Sequence, residues 1–169
     1  MGRMIPTTRS PGVSTMSSIP EHRCWRLLST TTVGRLAFAT DDGIVILPVN
    51  FIELDRRIYV RTEPGSTIAS LSEGFDDVAF EVDYHDDLNQ SGWNVLVKCT
   101  ARVAGITEAE RALRSTGRLG PWAPGERPLM IVLTPRQISG RKVAMRRSPR
   151  RTPSIIDADV AGPLPSDPS

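Results

Sequence analysis

A chain of 169 residues with 21 Lys or Arg against 19 Asp or Glu reads as one domain, long enough to bury a core without a disulfide or metal framework. Its charge is unevenly laid out: residues 21–140 hold 13 basic and 16 acidic side chains, a balance of −3, while residues 141–169 hold 6 basic and 3 acidic ones and the first twenty add Arg3 and Arg9. An acidic globule with basic ends argues against a nucleic-acid fold with a basic face, the lack of a long apolar run against a membrane span, and two cysteines without metal spacing, Cys24 and Cys99, for a reduced, cytoplasmic chain without a metal site.

Residues 1–17 are rich in Pro, Ser, Thr and Gly, lack the apolar core of a signal peptide, and read as a disordered tail. A domain is expected over 18–145. It opens with "SIPEHRCWRLL", where Ser18 and Glu21 stand at capping-box spacing and Cys24, Leu27 and Leu28 share a face. "VGRLAFAT" alternates as a strand does, "DDG" is a hairpin signal, and "IVILPVNFIEL" is the partner strand. Pro48 cannot donate to a ladder and marks an edge, a bend or a bulge. "IYVRTE" is a third strand. In "PGSTIASLSEG" Ser66 caps a short helix that Gly74 closes. "DVAFEVDYHD" and "GWNVLVKCTARVAGI" are two strands around the polar turn "DLNQSG". "TEAERALRSTGRL" is a helix with Thr107 and Glu110 at capping-box spacing, "GPWAPGERP" a Pro/Gly loop, and "LMIVLTPRQISGRKV" the last strand. The tail 146–169 reads as disordered; its "RRSPRR" is a solvated segment, or a place for acidic partners or phosphate on Ser148.

The order α-β-β-β-α-β-β-α-β is mostly β (α+β), and short strands on tight turns imply a mostly antiparallel sheet whose six strands close more readily into a barrel than stay flat. His22 and His85 have no partners for a metal or a nucleophilic triad. Glu81, Asp83, Asp86 and Asp87 alternate along a strand and its turn, as solvent-facing carboxylates do, without calcium-loop spacing. The stretch "VRTEPGSTIASL" stands apart: a strand end, a turn and a helix start crowded with the donors Arg61, Thr62, Ser66 and Thr67, either a phosphate cradle or only a turn with its hydroxyls facing water.

Together, "VGRLAF", "LPVNF", "IYVRTEPGSTIASL", "VAFEVD" and "GWNVLVK" resemble, in order and spacing, the pyridoxamine 5′-phosphate oxidase-like, FMN-binding split-barrel family, in particular its small actinobacterial members. The resemblance covers residues 20–143. It implies a six-stranded antiparallel split β-barrel with short flanking helices, a homodimer, and flavin mononucleotide (FMN) between the subunits. It assigns the phosphate to Arg61, Thr62, Ser66 and Thr67, with the amides of Thr67 and Ile68 at a helix start. Many relatives carry Lys at the position of Thr67, so one charge is missing. The segment Pro48, Val49, Asn50 and Phe51 would lie along the flavin ring. Trp93 and Asn94 would reach it, often from the partner subunit. Trp122 could close the slot, and Arg141 is a further candidate for the phosphate or the ring carbonyls.

The function so implied is that of a flavoprotein, an oxidoreductase acting on an unknown small molecule, in which the cofactor carries the hard chemistry; no acid, base or nucleophile is assigned. "GRKVAMRRSP" lacks the Arg-x-His substrate signature of the authentic oxidases. Two alternatives accompany this reading. One is a reductase or binding protein for a deazaflavin coenzyme. The other is a non-enzymatic dimer that stores flavin, handles haem through His22 or His85, or is structural.

Overall fold

In the computed structural model, residues 13–115 and 128–146 are described. Chain order gives β1 (Val13–Ile19), α1 (Glu21–Leu28), β2 (Val33–Thr40), β3 (Gly43–Leu54), β4 (Arg57–Thr62), a 3-10 helix (Thr67–Glu73), β5 (Phe75–Asp86), β6 (Ser91–Val103), α2 (Ile106–Ser115) and β7 (Leu129–Arg146). All pairings are antiparallel, in the order β1-β7-β4-β3-β2-β5-β6, and β6 also pairs with β7. Strands β2 to β7 therefore form the expected six-stranded ring, with β1 added to its outside as a seventh.

That strand corrects the domain boundary. Val13–Ile19, placed partly in the disordered tail by sequence, ladders with residues 140–146, from Ile19 opposite Gly140 to Val13 opposite Arg146. Its Ser- and Thr-rich sequence shows no apolar alternation because residues 15–18 are all exposed; backbone hydrogen bonds rather than burial hold it. The described sheet accordingly reaches back to Val13, and β7 carries it to Arg146. Residues 1–12 and 147–169, the rest of both expected tails, lie outside the described residues, as does the Pro/Gly loop.

The core follows from alternation. Leu36 and Phe38 of β2, Val49 and Phe51 of β3 and Phe80 of β5 point inward and are buried. The Phe51 and Phe80 rings meet edge to face at 4.8 Å, and Gly34 lies against Phe80, where a Cβ would collide with its ring. Helix α1 plugs the barrel with Cys24, Trp25 and Leu28. Gly140 admits it: a Cβ there would stand 2.7 Å from Cys24 Sγ. A smaller second core lies outside the ring, where Ala112 of α2 covers Tyr59, Met130 and Val132.

Both expected capping boxes are displaced. Ser18 belongs to β1, and Pro20 holds the N-cap of α1 without a side-chain bond. At α2 it is Glu108, not Glu110, that reaches back, accepting from the Gly105 amide at 3.3 Å and from Arg102 and Arg57 at 3.0 and 2.8 Å. Arg102 chiefly, against burial, holds the Glu108 carboxyl below its ordinary range. The acidic stripe on β5 is outward, as expected: Arg35 donates to Glu81 at 2.9 Å and Asp83 at 2.6 Å. Among the described residues no helix is long and apolar enough to cross a membrane.

β7 organises the split. One edge pairs with β6 across residues 131–143. The other pairs with β4 over residues 129–133 and with β1 over residues 140–146, leaving residues 134–139 unladdered between them.

Candidate functional site

The stretch from Arg61 to Ile68 folds as a strand end, a turn and a 3-10 helix. Gly65 sits in the turn at φ +79°, a left-handed conformation that suits glycine. The hydroxyls do not all face water. Thr62, only 5% exposed, shares a 2.6 Å hydrogen bond with Ser66 Oγ, and Ser66 Oγ accepts from the Ala69 amide at 3.3 Å. Ser66 is therefore the expected cap, and Thr62 supports it from below. The helix differs from expectation in being 3-10 and seven residues long, so its dipole is short. Thr67 is exposed, and the amides of Thr67 and Ile68 open the helix, where the first turn has no intrahelical acceptors.

Alternation separates Arg61 from Thr62. Val60 is buried against the barrel core and Tyr59 against α2; Arg61 shares the outward face of Tyr59, and Thr62 points inward. The two therefore do not form a pair of equivalent ligands. Arg61 and the helix amides can meet an anion; Thr62 positions Ser66.

The segment Pro48–Phe51 comes close by. Phe51 is the last β3 residue laddered to β4, opposite Val60. Beyond this pair the two strands part, with Asn50 and Arg61 the next residue on either side. Val49 and Phe51 are buried at 6% and 5% exposure; Pro48 and Asn50 take the outward face. Among the described residues, 43–50 pair with β2 alone, so Pro48, which has no N–H to donate, lies on an edge. Outward Asn50 and Arg61, an open β3 edge and the start of the 3-10 helix thus converge at one place.

Asn94 and Arg141 form a second group, opposite each other across β6 and β7. They are exposed and share the outward face. Trp93 faces the other way: it packs on the core and stacks on Tyr84, with ring centroids 6.4 Å apart. The Trp93 and Asn94 side chains hence leave β6 on opposite faces. Arg61 pairs with Met130 and Asn94 with Arg141, so the two groups stand eleven positions apart along β7, at most about 36 Å of strand. Trp122 lies outside the described residues.

A cleft of about 450 Å³ opens at the unladdered part of β7, lined by Trp25, Arg56, Arg57 and Arg136 among others. It holds none of the expected residues and lies at the opposite end of β4 from Arg61. Sequence reasoning missed it because it is made by strands leaving one another, which no local motif records. Both cysteines are free and buried; burial pushes the Cys99 thiol up to about 12.

Among solved structures, a conserved Corynebacterium diphtheriae protein of unknown function is 31% identical, with a TM-score of 0.59 over 78% of this chain and 98% of its own. An FAD-binding protein from Mycobacterium smegmatis is 27% identical, with a TM-score of 0.61 over 76% of this chain and 98% of its own. An uncharacterized Mycobacterium tuberculosis protein is 29% identical over 129 residues, 73% of this chain and 84% of that one. The family model for pyridoxamine 5′-phosphate oxidase matches residues 20–142. With the ring of antiparallel strands, this match establishes that the chain belongs to the pyridoxamine 5′-phosphate oxidase family.

Proposed function

We propose that this protein binds a flavin, FMN, where β3 and β4 part, and serves as a flavin-dependent oxidoreductase for a small molecule. The observation that carries the reading is the shared outward face of Asn50 and Arg61 beside the open β3 edge and the helix start. The residues fit the group. Arg61, the Thr67 hydroxyl and the amides of Thr67 and Ile68 supply donors for a phosphate dianion. Pro48 and the unladdered β3 edge offer a flat surface with backbone groups for the ring's polar rim, and Asn50 an amide. The FAD-binding character of the M. smegmatis neighbour supports a flavin. When bound, the flavin would supply hydride or electron transfer. The chain's own residues would bind it, orient it and exclude water.

The reading includes a homodimer. Ile44 and Ile46, 80% and 64% exposed, stand on the Pro48 side of β3, an apolar face that a second subunit would cover while bringing Asn94 and Arg141 to the flavin. Two free, buried cysteines agree with a reducing, cytoplasmic setting. Thr67, a hydroxyl where a cation would strengthen the cradle, favours a second reading, a deazaflavin coenzyme held loosely as a cosubstrate.

The test is titration of cofactor-stripped protein with FMN, FAD and the deazaflavin coenzyme, followed by cofactor fluorescence. FMN is expected to bind at one site per chain. Arg61→Ala should weaken it by about 1.5 kcal/mol or more, the low end for a charge-assisted hydrogen bond, and Thr67→Lys should tighten it. Binding of the deazaflavin alone selects the second reading. Binding of none, or an Arg61→Ala variant with unchanged affinity, removes the flavin site.

A further inference from the structure

A recess of about 140 Å³ lies between α1 and the inner face of the β1–β7–β6 sheet, lined by Ser18, Ile19, Pro20, Arg23, Leu27, Trp93 and Lys142. Register fixes its walls. Lys142 stands in β7 between Ser17 of β1 and Trp93 of β6. Arg23 and Leu27 are one turn apart on α1 and so share a helix face, which the lining turns toward Trp93 and Lys142. The seating of Cys24 over Gly140 holds α1 at this distance.

Two properties make the recess a site rather than a packing gap. Its cations stand without counter-charges: among the described residues neither Arg23 nor Lys142 forms an ion pair, whereas Arg35, Arg56, Arg57, Arg102, Arg111, Arg114 and Arg136 each do. No carboxylate lines it. Apart from Ser18, the remaining surface is apolar, from Ile19, Pro20, Leu27 and the flat indole of Trp93. An Arg fork and a Lys ammonium over such a floor suit one carboxylate carried on one small ring. The volume admits little more than that.

We propose that this recess binds a single-ring aromatic carboxylate, its carboxylate on Arg23 and Lys142 and its ring against Trp93 and Leu27. The site is separate from the flavin cradle: Trp93 faces inward while Asn94 and Arg141 face outward, and the proposal does not depend on the flavin reading. The probe is benzoate, titrated calorimetrically into the full-length protein as purified, alongside benzamide and inorganic phosphate. Benzoate should bind at one site per chain and change the fluorescence assigned to Trp93 by its absence in Trp93→Phe. Arg23→Gln and Lys142→Gln, both at exposed positions, should each weaken it by about tenfold, and Arg26→Gln, on the same helix but outside the recess, should not. Benzamide and phosphate, lacking the charge and the ring respectively, should bind at least about tenfold more weakly. The proposal is overturned if benzoate fails to bind, if benzamide or phosphate binds as well, or if the Arg23 and Lys142 variants retain wild-type affinity.

Discussion

Removing the Ser66 hydroxyl tests how the cradle is held. In Ser66→Ala the Ala69 amide loses its cap, worth about 1 kcal/mol. Thr62 loses its partner as well. Because that residue is 5% exposed and its bond to Ser66 is 2.6 Å long, its hydroxyl is stranded, at about 1–3 kcal/mol. The single variant should therefore cost roughly 2–4 kcal/mol. Thr62→Val removes the buried hydroxyl and leaves half-exposed Ser66 free to keep its cap, a loss of about 1 kcal/mol. In the double variant no hydroxyl is stranded, so the total should be about 2 kcal/mol, less than the sum of the two singles by about 1–3 kcal/mol. Urea unfolding of the four proteins at constant slope gives the cycle. Strictly additive losses would refute the reasoning, since they would mean that Thr62 and Ser66 do not depend on each other.

Two further outcomes follow from packing and burial. Gly34→Ala should cost about 1–3 kcal/mol by urea unfolding, because its Cβ would stand 2.8 Å from Phe80 Cε2 and 3.0 Å from the Glu81 carbonyl; Phe80→Leu in the same chain should recover part of that loss. Cys99, buried and with its thiol pushed up to about 12, stays protonated in the folded state after the unfolded chain has begun to ionise near 9.0. Its contribution is complete below about pH 9 and is lost as pH rises toward about 12; urea midpoints taken at neutral pH and at about pH 10 should fall less steeply for Cys99→Ala than for the wild type.

Much of this fold is legible where burial and local chemistry agree. β2 runs from Val33 to Thr40, the bounds that alternation gives, and the 3-10 helix starts at the Ser66 cap and stops at Gly74. Legibility fails where backbone alone decides. β1 buries too little to leave an apolar signature, and by taking Ser18 into the sheet it removes the cap that Ser18 and Glu21 suggested. At α2 the spacing between Thr107 and Glu110 is genuine, yet the helix begins one residue earlier, at Ile106, and Glu108 does the work. For the site, residue types were readable but their directions were not. Thr62 and Trp93 carry plausible chemistry, and each points inward while its neighbour, Arg61 or Asn94, points out. The length of β7 between the two outward groups depends on pairing register, which only the folded sheet supplies.

The long strand β7 also bears on how the protein is made. It comes after every other described strand in the chain, and it pairs with β1, β4 and β6. While the ribosome is still adding it, those three strands have edges with no partner, and the chain can at most hold the hairpins of β2 to β6. Closure therefore waits until β7 has been made, and up to that point the nascent protein has sheet edges open to chaperones, or to pairing with its neighbours on the same message.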